Sequence, residues 1–292
     1  DIQARLLLSA YHQPRVIIQK ATDEVKMATQ KIHLSLKAFN LINVAKGRKK
    51  VSHPYAKVSL SLSTRLDADR KVLGKTEVIN SCLSPDWVKT LIINHDPYGE
   101  MYFVTVQILD FKNHDKQMGS ATFQLPSVLE AKCNTRSFNL PGNGILHVRA
   151  EEAVGSGTFV LKMSGEKFTN TKGIFRKSDP FYQIVRSDVG ERGPEWNVVH
   201  RSQPIMNKLS PDWPEERIEL SKLCYGDIDK RLQLSIFDYE KNGDHVFMGG
   251  IEISVAEVVE NFQNEQFELE ITKKKKKTGK LILHWAEVTY NE

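Results

Sequence analysis

The sequence predicts an all-β protein made of two antiparallel eight-stranded sandwiches in tandem, each with a short helix. Three observations carry this prediction: a repeated pentapeptide, an alternation of apolar and polar residues, and turn-forming residues at short intervals. The pentapeptide LSPDW begins at Leu83 and again at Leu209, 126 residues later. A repeat at about the length of one domain indicates that a single unit was duplicated.

Other motifs recur at nearly the same distance. SHPY at Ser52 and SDPF at Ser178 are 126 residues apart, and ILDF at Ile108 and IFDY at Ile236 are 128 residues apart. The distance drifts by only two residues between these pairs, which is the effect of small insertions in loops. Both units are therefore expected to share one fold.

The segments between the motifs have the period of a β-strand. KIHLSLKAF from Lys31, YAKVSLSLS from Tyr55 and RLQLSIFDY from Arg231 each alternate apolar with polar residues. A period of two is typical of strands with one face on a core and the other in water. Asn-Gly, Ser-Pro and Pro-Gly pairs separate such segments, as in an antiparallel sandwich.

One short helix is predicted at the same place in each unit. Ser127 is followed three residues later by Glu130, and Ser254 by Glu257. This is the spacing of a capping box, in which the serine accepts a backbone hydrogen bond and the glutamate accepts another in return. We expect each serine to be the N-cap of its helix.

The repeat sets the domain organisation. Residues 31–150 form the first predicted domain and residues 157–290 the second, and the acidic, glycine-containing segment between them is a linker. Residues 1–30 lie outside the repeat as an N-terminal extension, in which residues 21–30 are compatible with a short helix.

Composition restricts the class of protein. The chain has 292 residues, 40% hydrophobic and 26% charged, and its mean hydropathy is −0.39, as in a globular protein. No apolar run approaches the roughly 18–20 residues that span a bilayer, and the start DIQARLLLSAY is a poor signal peptide. Three widely spaced cysteines form neither a zinc pattern nor a disulfide framework, which favours a cytoplasmic location.

The order of the motifs resembles that of a C2 domain, a module that binds calcium and phospholipid. SDPF follows the second strand, and N-x-LSPDW and FDY…G come after it. GKTEVINSCLSPDW in the first unit, with KSDPFYQIVR, LCYGDID and KKKKKTGKLIL in the second, is similar to the tandem C2 domains of copines. The resemblance covers about residues 31–288. In copines a von Willebrand factor A-like domain follows the pair, and this sequence ends without one.

The resemblance implies a calcium site formed by five acidic positions in two loops at one end of the sandwich. In the second domain three of these positions hold carboxylates, and the other two hold Gly173 and Val246. Because calcium takes roughly six to eight oxygen ligands, calcium is predicted as a weakly bound cofactor of the second domain alone. The candidate ligands are Asp179, Asp238, Glu240 and Asp244, the last as a substitute from the same loop.

Two of these carboxylates also have a structural interpretation. Asp179 precedes Pro180 and is suited to hold the turn there, and Asp238 ends a strand. Neither role needs an ion.

The first domain is predicted to bind no calcium. Its equivalent positions include Gly47, His53, Asp110 and Lys112, so a single carboxylate remains. A lysine ammonium at a ligand position repels a dication.

Basic and apolar side chains in the same loops predict contact with anionic lipid. The net charge of +5 is unevenly spread, and each cation near an anionic leaflet contributes about 1 kcal/mol. An apolar tip with a basic collar suits insertion at the headgroup level, although Phe175 packing into its own domain is the alternative. The candidate lipid-binding residues are Lys46, Arg48, Lys49, Lys50, Lys172, Ile174, Phe175, Arg176, Lys177 and Phe247.

Five consecutive lysines, at positions 273–277, form a further basic run. They precede the last predicted strand and are expected in a hairpin at the end opposite the acidic loops. Such a run contacts phosphate or a protein partner, or is simply solvated.

Together these features predict a copine-like peripheral adaptor that binds anionic phospholipid membranes at the inner face of the plasma membrane, with weak or no calcium dependence. A calcium-independent scaffold that binds proteins through its C2 domains is the alternative. No catalytic motif such as G-x-S-x-G, H-E-x-x-H or a P-loop is present, so no enzyme activity is expected. No nucleic-acid partner is expected either, because neither an RNP-like motif nor a recognition helix is apparent.

Overall fold

The computed structural model describes residues 29–64, 70–190, 193–241 and 243–290. Of the predicted extension at residues 1–30, residues 1–28 lie outside these ranges, as does most of the segment at 21–30, and Gln30 belongs to the first strand. None of the helices in the described ranges has the length and apolar character that crossing a membrane requires.

Two groups of strands follow one another along the chain. The elements of the first group are β1 (Gln30–Phe39), β2 (Pro54–Ser61), β3 (Lys71–Lys75), β4 (Leu91–His95), β5 (Phe103–Asp110), β6 (Lys116–Gln124), α1 (Pro126–Leu129), β7 (Thr135–Leu140) and β8 (Gly144–Glu152). The elements of the second group are β9 (Thr158–Glu166), β10 (Pro180–Gly190), β11 (Gly193–Arg201), β12 (Glu216–Glu219), α2 (Leu220–Cys224), β13 (Leu232–Asp238), β14 (Val246–Ile253), α3 (Val255–Gln263), β15 (Glu268–Lys273) and β16 (Lys276–Thr289).

The two groups have the same sheet topology. In the first, the sheets run β4-β1-β8-β7 and β3-β2-β5-β6. In the second, the corresponding orders are β12-β9-β16-β15 and β11-β10-β13-β14, and one residue pair, Gly250 with Thr272, joins them into a single eight-stranded sheet. The pairs are antiparallel, which confirms the predicted fold class of two all-β sandwiches.

Each sandwich has its own hydrophobic core. In β1 the buried residues Ile32, Leu34 and Leu36 are those that the alternating pattern places on one face. Leu232, Leu234 and Ile236 of β13 occupy the same kind of position in the second core. Burial of such apolar surface, at about 25 cal/mol per Å², is the main force that holds each sandwich together.

The repeated pentapeptide makes the same contacts in both domains. Pro85 accepts a backbone hydrogen bond from Ala38 at 2.9 Å, and Pro211 accepts one from Gly165 at 2.8 Å. The following tryptophans, Trp87 and Trp213, are 2% and 0% exposed. LSPDW is therefore the segment that docks on the first strand of each domain and places a tryptophan in its core.

One of the two predicted helix starts is correct. Ser254 is the N-cap of α3, and both hydrogen bonds of the capping box with Glu257 are present, at 2.8 and 3.1 Å. In the first domain the prediction is wrong: Leu125 is the N-cap of α1, and the Ser127 hydroxyl donates to the Gln124 carbonyl instead. Proline at the first helical position sets the start of α1 earlier in the chain.

The structure has a second helix in the second domain, α2, that the sequence patterns do not predict. It spans only five residues, and four of them are buried. Because it has almost no polar face, its sequence lacks the amphipathic period by which a longer helix is recognised.

Polar contacts join the two domains. The Arg186 guanidinium, largely buried in the second domain, donates to Glu151 of β8 at 3.0 Å. Lys222 of α2 donates to the carbonyl of Val88 at 2.8 Å. In the linker, Gly155 has a φ of +85°, and a Cβ there would lie 2.5 Å from Gly226, so no larger residue fits.

Because only Ser254 acts as an N-cap, the two serines should differ in their contribution to stability. We expect Ser254→Ala to lower the free energy of unfolding by about 1 kcal/mol, as the loss of a helix cap does. Ser127→Ala should lower it by less than about 0.5 kcal/mol. Urea denaturation of the two variants measures the difference, and equal losses would contradict the assignment of the caps.

Candidate functional site

Two loops meet at one end of each sandwich. We call L1 the loop at residues 40–53 in the first domain and 167–179 in the second, and L2 the loop at residues 111–115 and 239–245. Asp238 pairs both with Pro180, which follows L1, and with Val246, which follows L2. The register therefore brings L1 and L2 to the same edge, as the resemblance implies.

A buried aspartate at the end of a strand ties L1 to L2 in both domains. In the second domain, one oxygen of Asp238 accepts a hydrogen bond from the backbone of Asp179 at 2.7 Å. In the first, Asp110 accepts one from the backbone of His53 at 3.0 Å. This agrees with the structural interpretation of Asp238.

The base of L1 is held by an asparagine and a serine. The side-chain oxygen of Asn170 accepts a hydrogen bond from the Ser178 hydroxyl at 3.2 Å. Asn43 and Ser52 form the same pair in the first domain, at 2.9 Å. The asparagine–serine hydrogen bond therefore ties the two ends of L1 together in both domains.

A lysine lies among the carboxylates of the second domain. The Lys172 ammonium is 2.7 Å from Asp179, 3.2 Å from Asp238 and 3.4 Å from Glu240, and it donates to the Tyr239 carbonyl at 3.0 Å. Its side chain is 11% exposed. The candidate lipid-binding role of Lys172 is thus not supported by its position, since the ammonium points into the protein.

The charges in this acidic cluster stabilise one another. Burial disfavours the charged form of Lys172, but hydrogen bonds to Asp179 and Asp238 outweigh it and raise the pKa of the lysine. For Asp179, burial is likewise outweighed by the hydrogen bonds from Lys172 and the backbone of Asn207, and the pKa of this carboxyl is lowered. Arg176 adds a second cation, 3.0 Å from Asp179.

The four candidate calcium ligands differ in their surroundings. Asp179, Asp238 and Glu240 share Lys172 as a common neighbour, and Asp244 is exposed in L2. In the described ranges, no group of three or more His, Cys, Asp or Glu residues is arranged to hold a metal ion. Calcium binding by this domain stays a prediction.

The first domain shows the same loops with only one of the three carboxylates, Asp110. Lys46 occupies the repeat position of Lys172, 126 residues earlier, and is exposed. Ala45 stands where Thr171 donates a hydrogen bond to Asp238. As a result, one oxygen of the buried Asp110 has no hydrogen-bond partner in the described part of the chain.

An apolar tip projects from L1 of the second domain. Ile174 and Phe175 are 91% and 96% exposed, so the alternative in which Phe175 packs into its own domain is wrong. Gly173, at a φ of +80°, starts this projection. Arg176 and Lys177, which follow the tip, are also exposed.

Phe247 does not join the apolar tip. It lies half-buried in β14, with its ring centroid 5.4 Å from that of Phe237. The Lys273 ammonium lies over the same ring at 5.8 Å. Phe247 thus packs on its neighbours in the strand. Its closeness to L2 in the sequence does not show this.

The five lysines at 273–277, which we call the lysine hairpin, lie at the L1 and L2 end of the domain. The prediction of the opposite end is wrong. β14 runs away from L2, α3 turns the chain, and β15 returns antiparallel to β14, so that β15 ends beside L1. The backbone of Thr169 donates to the Thr278 carbonyl at 2.9 Å, which fixes the hairpin against L1.

The turn of the lysine hairpin has an unusual backbone. Lys273 pairs with Lys276, and the two residues between them, Lys274 and Lys275, have φ values of 50° and 64°. Two-residue turns with positive φ at both positions favour Asn-Gly. A non-glycine residue in this conformation costs on the order of 1 kcal/mol.

The basic residues of L1 in the first domain are exposed. They surround Gly47, whose φ of +115° suits glycine, and Asn43 holds the end of the segment by donating to the Lys50 carbonyl at 2.8 Å. These side chains are Lys46, Arg48, Lys49 and Lys50.

The sequence matches the model of one domain family twice. The C2 domain model matches residues 32–140 and 158–279, which together are more than half of the chain. The chain belongs to the C2 domain family. Each match corresponds to one of the two sandwiches, so the protein contains two C2 domains in tandem.

Solved structures similar to this chain include further C2 domains. BON1-C2B is 18% identical over 47% of this chain and 95% of its own, with a TM-score of 0.39. The pair of C2 domains of calcium-bound extended synaptotagmin 2 is 14% identical over 91% of this chain and 99% of its own, with a TM-score of 0.32. Human GIVD cytosolic phospholipase A2 is 10% identical over 88% of this chain and 32% of its own, with a TM-score of 0.31.

The lowered pKa of Asp179 predicts a loss of stability in acid. Such a carboxylate contributes stability above its unfolded pKa, about 3.9, and the contribution is lost as the pH falls through the folded pKa. Asp179→Asn removes the titrating group. We therefore expect its free energy of unfolding to fall less than that of the wild type between about pH 5 and pH 3.

Urea denaturation at several pH values measures this difference. Asp229→Asn, at an exposed carboxylate of the same C2 domain, is the matched control and should keep the pH dependence of the wild type. If Asp179→Asn also keeps it, the cluster contributes no acid-sensitive stability.

Proposed function

We propose that this protein is a peripheral membrane adaptor that docks on anionic phospholipid through the loop end of its second C2 domain, with weak or no calcium dependence. The observation that carries the proposal is the apolar tip, Ile174 and Phe175, which are 91% and 96% exposed at the same end of the domain as the lysine hairpin. Apolar residues so exposed on a folded loop favour an apolar or interfacial environment.

The apolar tip would supply part of the binding free energy. Moving a large apolar side chain out of water contributes about 1.5–3 kcal/mol. Two such side chains hold a protein only weakly at a bilayer, in the same way that one lipid chain gives marginal anchoring. A second contribution is needed.

The basic residues of the same end would supply that second contribution. Lys177, Lys274 and Lys275 are exposed there, and each contributes about 1 kcal/mol near an anionic leaflet. Exposed basic residues in L1 of the first domain, among them Lys49 and Lys50, would add to the attraction. Because these charges belong to the chain, the attraction does not require an ion.

The backbone of the lysine hairpin supports a binding role. Lys274 and Lys275 occupy a turn conformation that glycine adopts at lower cost. Residues held in unfavourable backbone conformations are concentrated at functional sites. The strained turn directs two charged side chains to the surface at the end of the domain that carries the apolar tip.

The finer parts of the proposal rest on the resemblance in sequence. Similarity to the copine tandem supports a copine-like role, and the anionic inner leaflet of the plasma membrane is the membrane that suits the basic loops. A calcium-independent scaffold that binds proteins is the competing function.

Vesicle co-sedimentation tests the proposal. We expect the wild type to pellet with vesicles that contain phosphatidylserine in the presence of a calcium chelator, and to gain less than about threefold in affinity when calcium is added. Phe175→Ser should weaken pelleting by about tenfold or more, because the exposed ring can no longer enter the interface.

Val189→Ser is the matched control for the apolar tip. Val189 is 76% exposed near the end of β10 opposite L1, and its loss should leave pelleting unchanged. Pelleting that requires calcium would refute the calcium-independent mechanism. No pelleting in either condition would favour the scaffold.

Charge reversal in the lysine hairpin gives an independent prediction. Lys274→Glu with Lys275→Glu should weaken binding to phosphatidylserine vesicles by at least about tenfold and reduce its dependence on salt. Flotation at two ionic strengths measures both effects.

Lys31→Glu with Lys71→Glu is the control for total charge. Both lysines are exposed on strands of the first domain, at the end away from its loops, and their reversal should have a much smaller effect. Equal effects of the two double variants would show that net charge matters and the hairpin does not.

A further inference from the structure

The acidic cluster of the second domain needs a compensating cation. The side chains of Asp179 and Asp238 are 1% and 0% exposed, and two neighbouring carboxylates are costly to bury unless cations and hydrogen bonds compensate their charge. Calcium supplies that charge in members of this family that bind it. Here Lys172 lies among the three carboxylates that the resemblance assigns to calcium.

The oxygens around the Lys172 ammonium are of the kind that calcium prefers. They belong to three carboxylates and the Tyr239 backbone carbonyl, at distances between 2.7 and 3.4 Å. Calcium binds such oxygens at about 2.3–2.6 Å, whereas the observed distances are those of ammonium hydrogen bonds and ion pairs. An ion at the centre of these oxygens would overlap Nζ, so the residues do not fit calcium while Lys172 points inwards.

The remaining carboxylate oxygens of the acidic cluster accept hydrogen bonds from the protein, without an ion. One Asp179 oxygen accepts from the backbone of Asn207 at 2.6 Å, and the other accepts from Arg176 at 3.0 Å. Asp238 accepts from the backbone of Asp179 and from the Thr171 hydroxyl. Both buried carboxylates therefore have partners on each oxygen.

We propose that Lys172 is an internal substitute for calcium, whose ammonium neutralises the acidic cluster and keeps L1 and L2 together without a bound ion. The residue also excludes calcium from the cluster. Removal of Lys172 should therefore expose a calcium site. The effect of this substitution on membrane docking rests on the proposed function, but the exchange of lysine for calcium does not.

The first domain supports this inference by contrast. Lys46 is the repeat equivalent of Lys172 and is exposed, and His53 and Lys112 stand at the positions of Asp179 and Glu240. Of the three carboxylates only the equivalent of Asp238, Asp110, remains there, and the Lys46 ammonium stays in water, where its hydration is most favourable. The inward position of Lys172 thus depends on the acidic cluster and not on the loop alone.

Calorimetric titration with calcium chloride tests the inference on the full chain, without lipid. Lys172→Met keeps the apolar stem and removes the charge, and we expect it to bind calcium about tenfold or more tightly than the wild type. Lys46→Met is the matched control and should gain nothing. A Lys172→Met protein that is folded and binds calcium no better than the wild type would overturn the proposal.

Thermal denaturation separates a folding defect from a failed prediction. Lys172→Met should have a lower Tm than the wild type in chelator and should recover in millimolar calcium, because a ligand of the folded state stabilises it. Lys172→Gln, which keeps a polar group but carries no charge, should behave in the same way. A loss of Tm that calcium does not restore in either variant would contradict the substitution of one cation for the other.

Chemical modification of the wild type tests the position of Lys172 directly. With an amine-acetylating reagent and mass spectrometry, Lys172 should react at least about tenfold more slowly than Lys46, because its amine is buried and ion-paired. Millimolar calcium should not accelerate the reaction. Equal reactivity, or acceleration by calcium, would refute an internal cation. Since no lipid is present, failure here is distinguishable from failure of the membrane proposal.

Discussion

A buried aspartate at the end of a central strand organises the loop end of each C2 domain. Asp110 and Asp238 each accept a backbone hydrogen bond from the end of L1, and Asp110 also accepts one from Lys112 at the start of L2. A buried charge of this kind imposes a demand on its surroundings, because each of its oxygens needs a donor. The two domains meet that demand differently. In the second domain, Thr171 and Lys172 are the further partners of Asp238. In the first domain, one oxygen of Asp110 has no partner among the described residues.

That difference separates two domains with the same topology. In the first, the lysine of L1 is exposed and the loop presents only positive charge. In the second, the equivalent lysine is internal, and the charge at the surface comes instead from residues beyond it and from the lysine hairpin. Lys46 and Lys172 thus occupy the same position of the repeat, but one is exposed and the other is largely buried. The number of neighbouring carboxylates accounts for the difference.

Much of the fold follows from the sequence, because LSPDW, the SDPF-type motif and the alternating strands are local signals that the core enforces. The errors have physical causes. Ser127 has the spacing of a cap, but Pro126 moves the start of the helix. The sequence alone predicts the wrong end for the lysine hairpin, because its place depends on the path of α3 and β15, which is a tertiary property. The inward direction of Lys172 depends on Asp179, Asp238 and Glu240, which are 7, 66 and 68 residues away. A pattern within a short stretch of sequence cannot show that the last two are neighbours.

The turn at Lys274 and Lys275 has a consequence for any attempt to make this protein more robust. Asn-Gly at these two positions would relieve the left-handed backbone and raise thermostability, because that pair is the one a two-residue turn of this kind favours. The same exchange would strip two positive charges from the end of the domain that carries the exposed phenylalanine. If this end docks on anionic lipid as we propose, a variant chosen for thermostability alone would bind membranes less well, and only a vesicle-binding measurement would detect the loss.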